Sequence, residues 1–319
     1  KASTTIIRNT FPELESIYGP HEKENWCRVS RAIDFNDLVA SKIYKVYKYS
    51  KSEALLNNML LALKLRLDER ERFEYEMASC ENSSLLLPDE HFSEKLLELK
   101  DSNPYLWQNG EPWQIIRKAI TDDQALIEEV ATLVGVQPRM LVSVAIVEQL
   151  RLYYTQRELF EKVFKPLKIL ANANKMAWGV MAIKEKMAIE TEDHLKDLSS
   201  DYYMGTTTEH LLDFEEGVDK GKVRYARLTD KNTHYYSYLY GALILKQFET
   251  QWAKAGYNIK YRPEILATLF NIGYKNSHPK AEPQVGGSTI EIEGDKYYFG
   301  SLELEINYSG ELEEVFPFK

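Results

Sequence analysis

The stretch QPRMLVSVAIVEQLRLYY, residues 137–154, decides how the rest of the sequence is interpreted. Pro138 near its start is typical of the first turn of a helix. The residues that follow are apolar on nearly every side of a helical wheel, and a helix of that kind is buried inside a protein. The stretch therefore predicts a central, buried helix, and the periodic segments on either side of it predict a mainly α fold.

Glu148 lies on the apolar side of this predicted helix. Its neighbours at helical spacing include Leu141, Val144 and Leu152. Burial disfavours the charged form of a carboxyl group and raises its pKa, and an acid that stays protonated near neutral pH can protonate the leaving oxygen of a glycosidic bond. The alternative is an ordinary, partly exposed glutamate that pairs with Arg151, three residues further on.

A family resemblance begins with the same helix. The segment GVQPRMLVSVAIVEQLR, residues 135–151, resembles the entry to the catalytic helix of soluble lytic transglycosylases and goose-type lysozymes. In that family the buried helix ends in the catalytic glutamate, which Glu148 matches. A turn of the type Gly-Leu-Met-Gln follows, and a Tyr-Asn-x-Gly motif comes later in the chain.

Three further segments match the family in the same order. WGVMAI, residues 178–183, resembles the glycine-containing turn through Gly179, Val180 and Met181. YLYGALILKQF, residues 238–248, resembles a helix in which a glycine precedes an apolar pair. LATLFNIGY, residues 266–274, resembles the last motif through Asn271 and Gly273. The resemblance covers about residues 134–275.

The sequence also departs from the family. Ala182 stands where the family usually has glutamine, and Phe270 lacks the hydroxyl of the expected tyrosine. Gln149 follows Glu148, where the family often has serine. The interval of 31 residues from Glu148 to Gly179 is longer than usual and predicts an insertion.

The resemblance implies a lysozyme-like domain that cleaves the glycan strand of peptidoglycan, with Glu148 as general acid. A hydrolase needs a water molecule that a second carboxylate places, whereas a lytic transglycosylase uses the 6-hydroxyl of the sugar itself. The first candidates for a second carboxylate are Glu158 and Glu161, followed by Glu185 and Glu190. The charged helix face that carries Glu158 and Glu161 is explained equally well by simple exposure to solvent.

Sugar-binding sites use aromatic rings and amide groups, and the motifs suggest which residues supply them here. For each aromatic residue the alternative is packing in the core, which is the commoner use of such a side chain. The predicted substrate-binding residues are Trp178, Gly179, Met181, Asn271, Tyr274 and Tyr154.

The organisation of the chain follows from its breaks and periods. Residues 1–110 form an N-terminal helical region of unknown role, which includes a helix predicted over residues 52–77. The resemblance implies that residues 111–319 form the lysozyme-like domain. Its tail alternates in STIEIEGDKYYFGSLELEINYSG, which predicts a small β-hairpin or meander at residues 288–308.

The composition of the chain limits which classes of partner are expected. The 319 residues carry a net charge of −9 without a long basic run, which argues against nucleic acid. No apolar run is long enough to cross a bilayer, so no stable membrane insertion is expected. The six histidines have no metal spacing and no nucleotide-binding fingerprint occurs, so neither a metal nor a cofactor is expected. The acidic balance suggests a preference for glycan that carries free ammonium groups, such as de-N-acetylated glucosamine.

Cys27 and Cys80 form no metal-binding motif. They can pair as a disulfide in an oxidising compartment, or remain two free thiols in the cytosol. The resemblance implies a periplasmic or secreted protein whose N-terminal export signal has been removed.

Two other functions are compatible with the sequence. One is a non-catalytic envelope protein of lysozyme-like fold that binds glycan or a partner, with Glu148 as a relic. The other is an unrelated helical scaffold or envelope-assembly protein in which the motif order is chance. The second predicts no groove beside Glu148, whereas a groove that holds Glu148 with Trp178 or Asn271 argues against it.

Overall fold

The computed structural model describes residues 20–81, 105–155 and 178–318, and these are mainly helical with one small antiparallel sheet. The predicted fold class is therefore confirmed. The chain divides into two compact units, of which the first comprises Lys1–Gln108 with Tyr308–Gly310 and the second Asn109–Asn307 with Glu311–Lys319. The charged helix predicted around Glu158 and Glu161 lies outside the described residues.

The first unit contains four described helices. Each of two begins at a side-chain cap: Asn36 accepts a hydrogen bond from the backbone N–H of Val39, and Ser52 accepts one from Leu55. Their bounds are α1 Pro20–Ala32, α2 Asp37–Ser50, α3 Glu53–Arg66 and α4 Arg70–Ala78.

Two features of this unit go beyond the sequence. The single helix predicted for residues 52–77 is wrong, because the chain is extended at Leu67, between α3 and α4. Arg70 satisfies the carbonyls exposed at this break by donating to Leu65 and Leu67. Cys27 and Cys80 form a disulfide, so α1 is joined covalently to the residues that follow α4.

The second unit holds the sheet and the described helices that begin after Asn109, while the short helix Leu106–Asn109 spans the point in the chain where the units divide. Gly135 adopts φ 77°, a backbone conformation that suits glycine, and it ends the helix before the central one. After α5, Leu106–Asn109, the elements are α6 Glu111–Asp122, α7 Gln124–Val134, α8 Pro138–Thr155, α9 Glu185–Lys196, α10 Lys220–Leu228, α11 Tyr235–Lys254, α12 Pro263–Ile272, a 3-10 turn at Tyr274–Asn276, β1 Thr289–Ile292, β2 Asp295–Tyr298 and α13 Phe299–Asn307.

Helix α8 is the centre of the second unit. It is buried from Arg139 to Leu150 and contacts α6, α7, α11, α13 and β1. The structure therefore confirms that this helix is buried on all sides. Arg139 is compatible with the interior because its guanidinium donates to the backbone oxygens of Asn307 and Phe316, both at 2.7 Å.

The tail contains one hairpin and one helix. Strands β1 and β2 pair through a two-residue turn in which Glu293 and Gly294 both have positive φ, as a hairpin turn requires. The β structure predicted as far as residue 308 is wrong for Phe299–Asn307, which is α13. The sequence of this helix does alternate, but Glu303, Glu305 and Asn307 are buried together with the apolar residues between them, so the alternation does not mark a buried and an exposed face as it would in a strand.

No single helix among the described residues is long and apolar enough to cross a membrane. The helices α7 and α8, which are bent by 120° relative to each other, together have a length and composition that would suffice.

Candidate functional site

A cavity of about 320 Å³ opens beside Glu148 in the second unit. Four parts of the chain form it: the middle of α8, the turn before α9 together with the first half of α9, the segment from the end of α12 through the 3-10 turn, and the loop before β1. The lining residues are Glu148, Arg151, Ala182, Lys184, Lys186, Met187, Glu190, Phe270, Asn271, Ile272, Gly273, Tyr274, Lys275, Asn276 and Ser288.

Glu148 is held by a single partner. Its residue is 3% exposed, and Arg151 donates to its Oε2 from Nε at 2.8 Å and from Nη2 at 2.6 Å. Burial raises the pKa of Glu148, and the positive charges of Arg151 and Lys184 oppose this without cancelling it. Oε1 makes no hydrogen bond with any described residue. It is therefore the carboxyl oxygen that a bound molecule can engage.

The turn at residues 178–183 is closed by two backbone hydrogen bonds between Trp178 and Ile183, of 2.7 and 2.9 Å. Gly179 has φ 73°, and a Cβ there would lie 2.5 Å from Oγ of Ser237 and 2.6 Å from the carbonyl oxygen of Leu228. Only glycine fits this position, because the backbone conformation and the close approach both exclude a side chain.

This turn is tied to two helices. The side chain of Gln149 on α8 donates to the carbonyl of Val180 at 2.7 Å, and the hydroxyl of Ser237 on α11 accepts from the backbone N–H of Met181 at 3.1 Å. Met181 lies so close to Gly241 that a Cβ on that glycine would be 2.7 Å from Met181 Cε. The segments that the sequence singled out in α8, the turn and α11 are thus in direct contact.

Ala182 completes the turn in a conformation that is unusual for its residue type. Its φ is 48°, in the left-handed region where a Cβ costs conformational energy. It lines the cavity beside Glu148 and is itself buried. Backbone strain of this kind is characteristic of residues that the surrounding structure holds in place at functional sites.

Asn271 and Tyr274 line the opposite part of the cavity. The Oδ1 atom of Asn271 accepts from the backbone N–H of Ser288 at 2.7 Å, which fixes the orientation of the amide and leaves its NH₂ group as a donor. The hydroxyl of Tyr274 is not available in this way, since it is bonded to Thr191 and Gln247 in the interior. Tyr274 therefore contributes its ring to the cavity wall.

Trp178 and Tyr154, two of the predicted binding residues, do not line this cavity. The indole of Trp178 packs edge-on against Tyr225 with a centroid distance of 5.3 Å. Tyr154 packs against Tyr153 and lies close to Gly110, and burial raises the pKa of its hydroxyl to about 12. Both residues were predicted to bind substrate because they are close to a motif in the sequence. The direction of each side chain, however, depends on the neighbouring elements.

The other predicted residues divide in a similar way. Gly179 and Met181 shape the turn and are not among the lining residues. Of the candidates for a second carboxylate, Glu190 lines the cavity and Glu185 does not, whereas Glu158 and Glu161 lie outside the described residues.

The positive charge of the side chains that line the cavity was not predicted from the sequence. Four cationic side chains line the cavity, against two carboxylates, although the whole chain has a net charge of −9. Lys184 and Lys186 follow the turn directly in the sequence IKEK, which is the local signal that was available. The cationic residues are Arg151, Lys184, Lys186 and Lys275.

In the parts of the chain that the structure describes, no three His, Cys, Asp or Glu side chains lie close enough together to hold a metal ion. Comparison of the chain with protein-family models, with curated proteins and with solved structures gave no match.

Proposed function

We propose that this protein is a lysozyme-like enzyme that cleaves the glycan strand of peptidoglycan, with Glu148 as its general acid. One observation carries the proposal: a buried carboxyl group with one unbonded oxygen lines a cavity next to an amide donor, Asn271. The contacts of Gly179 with Ser237 and of Met181 with Gly241 support the resemblance, because the matching segments are close in space as well as ordered in sequence.

In the proposed first step, Glu148 is protonated on Oε1 while Oε2 accepts the hydrogen bonds of Arg151. The proton passes from Oε1 to the glycosidic oxygen, the bond from that oxygen to the sugar's anomeric carbon breaks, and Glu148 becomes a carboxylate. Arg151 stabilises the carboxylate formed in this step, since it already lies 2.6 Å from Oε2. Burial of the side chain favours the protonated form before the step.

The second step has two chemical routes. In a hydrolase a second carboxylate activates water, and Glu190 is the described candidate that lines the cavity, where it lies 3.6 Å from the ammonium group of Lys186. In a lytic transglycosylase the 6-hydroxyl of the sugar attacks, and one carboxylate is sufficient. The two routes leave different chain ends, namely a reducing end or an anhydro ring.

The setting that we propose is the periplasm or the exterior of the cell. The disulfide between Cys27 and Cys80 supports it, because disulfides persist in oxidising compartments. The cationic lining of the cavity does not favour the ammonium-bearing glycan that the overall acidic charge suggests, since like charges repel at close range.

The second candidate is a non-catalytic protein of the same fold that binds glycan or a partner. Ala182 and Phe270 favour it, because both line the cavity and lack the polar groups that the family carries there. The unrelated helical scaffold is less well supported, because it predicts no groove beside Glu148.

The test is incubation of the wild-type protein and the Glu148→Gln variant with purified peptidoglycan, in native and chemically deacetylated forms, with products identified by mass spectrometry. Glutamine can still accept a hydrogen bond from Arg151, which preserves the packing, but it cannot supply a proton. We expect cleavage by the wild-type protein and none by the variant. Glu190→Gln is the matched variant of the second carboxylate. If the products with reducing ends disappear in this variant, the protein is a hydrolase and Glu190 is the residue that activates water. Intact strands with the wild-type protein would favour the binding protein.

A further inference from the structure

We propose that the cavity selects acidic glycan, in which carboxylate groups attached to the sugar chain are bound by Lys184, Lys186 and Lys275. This inference rests on the proposed function and names the substrate class of the same site. It concerns residues for which the motifs of the sequence assign no role.

The three lysines converge on the cavity from two separate segments. Lys184 and Lys186 lie at the start of α9, and Lys275 lies in the 3-10 turn after α12, about 90 residues further along the chain. All three are exposed, so their ammonium groups can reach a ligand in the cavity. A cluster of cations from distant parts of a chain around one cavity raises the local concentration of anions.

Two of these lysines have no counter-ion in the parts of the chain that are described. Lys184 and Lys275 make no ion pair there, whereas Lys186 lies 3.6 Å from Glu190. Arg151 differs from all three, since its guanidinium is committed to Glu148. Lys184 and Lys275 therefore provide positive charge that no ion pair with a described residue neutralises.

The position of α9 adds to this charge. No side chain caps its N-terminus, where Lys184 is the N-cap residue, and the backbone N–H groups of a helix N-terminus attract anions, although Glu185 in the first turn offsets part of this attraction. A neutral sugar polymer would gain nothing from this arrangement, and an ammonium-bearing polymer would be repelled. A strand with a carboxylate on alternate sugars would present one negative charge to these lysines for every two sugars.

The experiment compares two strands that differ only in charge. Glycan strands whose peptides have been removed retain a lactyl carboxylate, and coupling with methylamine converts this group into a neutral amide of similar size. Binding of both strands to the Glu148→Gln variant is measured by calorimetry. We expect the carboxylate strand to bind about tenfold more tightly than the amide strand, because three exposed ion pairs together contribute about that much to the affinity. This preference should weaken as the NaCl concentration rises from about 50 to about 300 mM.

The decisive protein variant is Lys184→Gln/Lys186→Gln/Lys275→Gln, added to Glu148→Gln. Its carboxylate preference should fall to a ratio near one. The matched control, Lys222→Gln/Lys231→Gln/Lys296→Gln, removes the same charge from exposed lysines that do not line the cavity, and it should keep the preference. Circular dichroism of each variant checks that it is folded.

The outcomes separate the two proposals. Equal binding of the two strands, or equal loss of the preference in both lysine variants, would overturn the acidic-glycan inference. A carboxylate preference that needs the three cavity lysines, in a wild-type protein that leaves all strands intact, would uphold the inference and overturn the proposed cleavage. Cleavage of both strands at the same rate, with equal binding, would uphold the proposed cleavage and overturn the acidic-glycan inference.

Discussion

Arg151 donates two hydrogen bonds to the same oxygen of Glu148, from Nε at 2.8 Å and from Nη2 at 2.6 Å. The two residues are one helical turn apart on α8, so their contact requires no other element. The consequence is an asymmetric carboxyl group, in which one oxygen is bound to a cation and the other faces a cavity.

The Arg151→Met variant should raise the pKa of Glu148 further. Burial already raises this pKa and Arg151 is the largest opposing influence, so its removal leaves burial less opposed. An acid with a higher pKa stays protonated to a higher pH, so the basic limb of the profile of kcat/KM against pH should move upward. Carbon NMR of the Glu148 carboxyl group measures the same shift without activity. An unchanged titration would contradict the influence assigned to Arg151.

The Gly241→Ala variant should be destabilised by about 1 to 3 kcal/mol, the cost of overfilling a packed core. Its new Cβ would lie 2.7 Å from Cε and 3.0 Å from Cγ of Met181. Urea unfolding measures the loss. The double variant with Met181→Ala should recover part of it, because the shorter side chain vacates that space. Simple additivity of the two effects would show that the contact is not the cause.

The Ala182→Gly variant should be more stable than the wild-type protein by up to about 1 kcal/mol. Glycine relieves the strain of φ 48°, although it also makes the unfolded chain more flexible. The control is Ala226→Gly, at an exposed position in α10, which should lose about 1 kcal/mol. Free energies of unfolding from urea titration decide the matter, and destabilisation of both variants alike would remove the argument from strain.

Stability should fall as the pH rises from about 4.5 to about 8, because burial raises the pKa of Glu303 on α13 from 4.5 to about 8. In that window the folded state keeps a proton that the unfolded state has lost. The free energy of unfolding is therefore highest below the lower value and declines by up to about 1.4 kcal/mol per pH unit. Ser143 and Asn307, which bond to Glu303, can also accept or donate to a glutamine.

The Glu303→Gln variant tests the origin of that slope. It should flatten the dependence of urea unfolding on pH, since glutamine does not titrate. Glu313→Gln, at an exposed position in the same C-terminal part of the chain, is the control and should leave the slope unchanged. A slope that survives in the Glu303 variant would assign it to other groups.

The predicted burial of Glu148 on a helix is confirmed, because it depended on local periodicity. Residues at helical spacing share a face whatever the rest of the chain does, so an apolar run that contains one carboxyl group implies burial of that group. The same logic misled at Phe299–Asn307, where polar and apolar residues alternate as in a half-buried strand, yet both kinds are buried in a helix. It also missed the break at Leu67, where the side chain of Arg70 donates hydrogen bonds to the carbonyls of Leu65 and Leu67.

Local pattern alone established the mainly helical fold, the buried helix α8 and the position of Glu148 on it. Tertiary structure alone decided that Cys27 pairs with Cys80, that the ring of Trp178 packs on Tyr225 rather than lining the cavity, and that Lys275 joins Lys184. The physical reason is distance along the chain. Helix periodicity relates residues within a few positions, whereas a cavity, a disulfide and a charged cluster depend on how separate segments pack, which their own sequences do not encode individually.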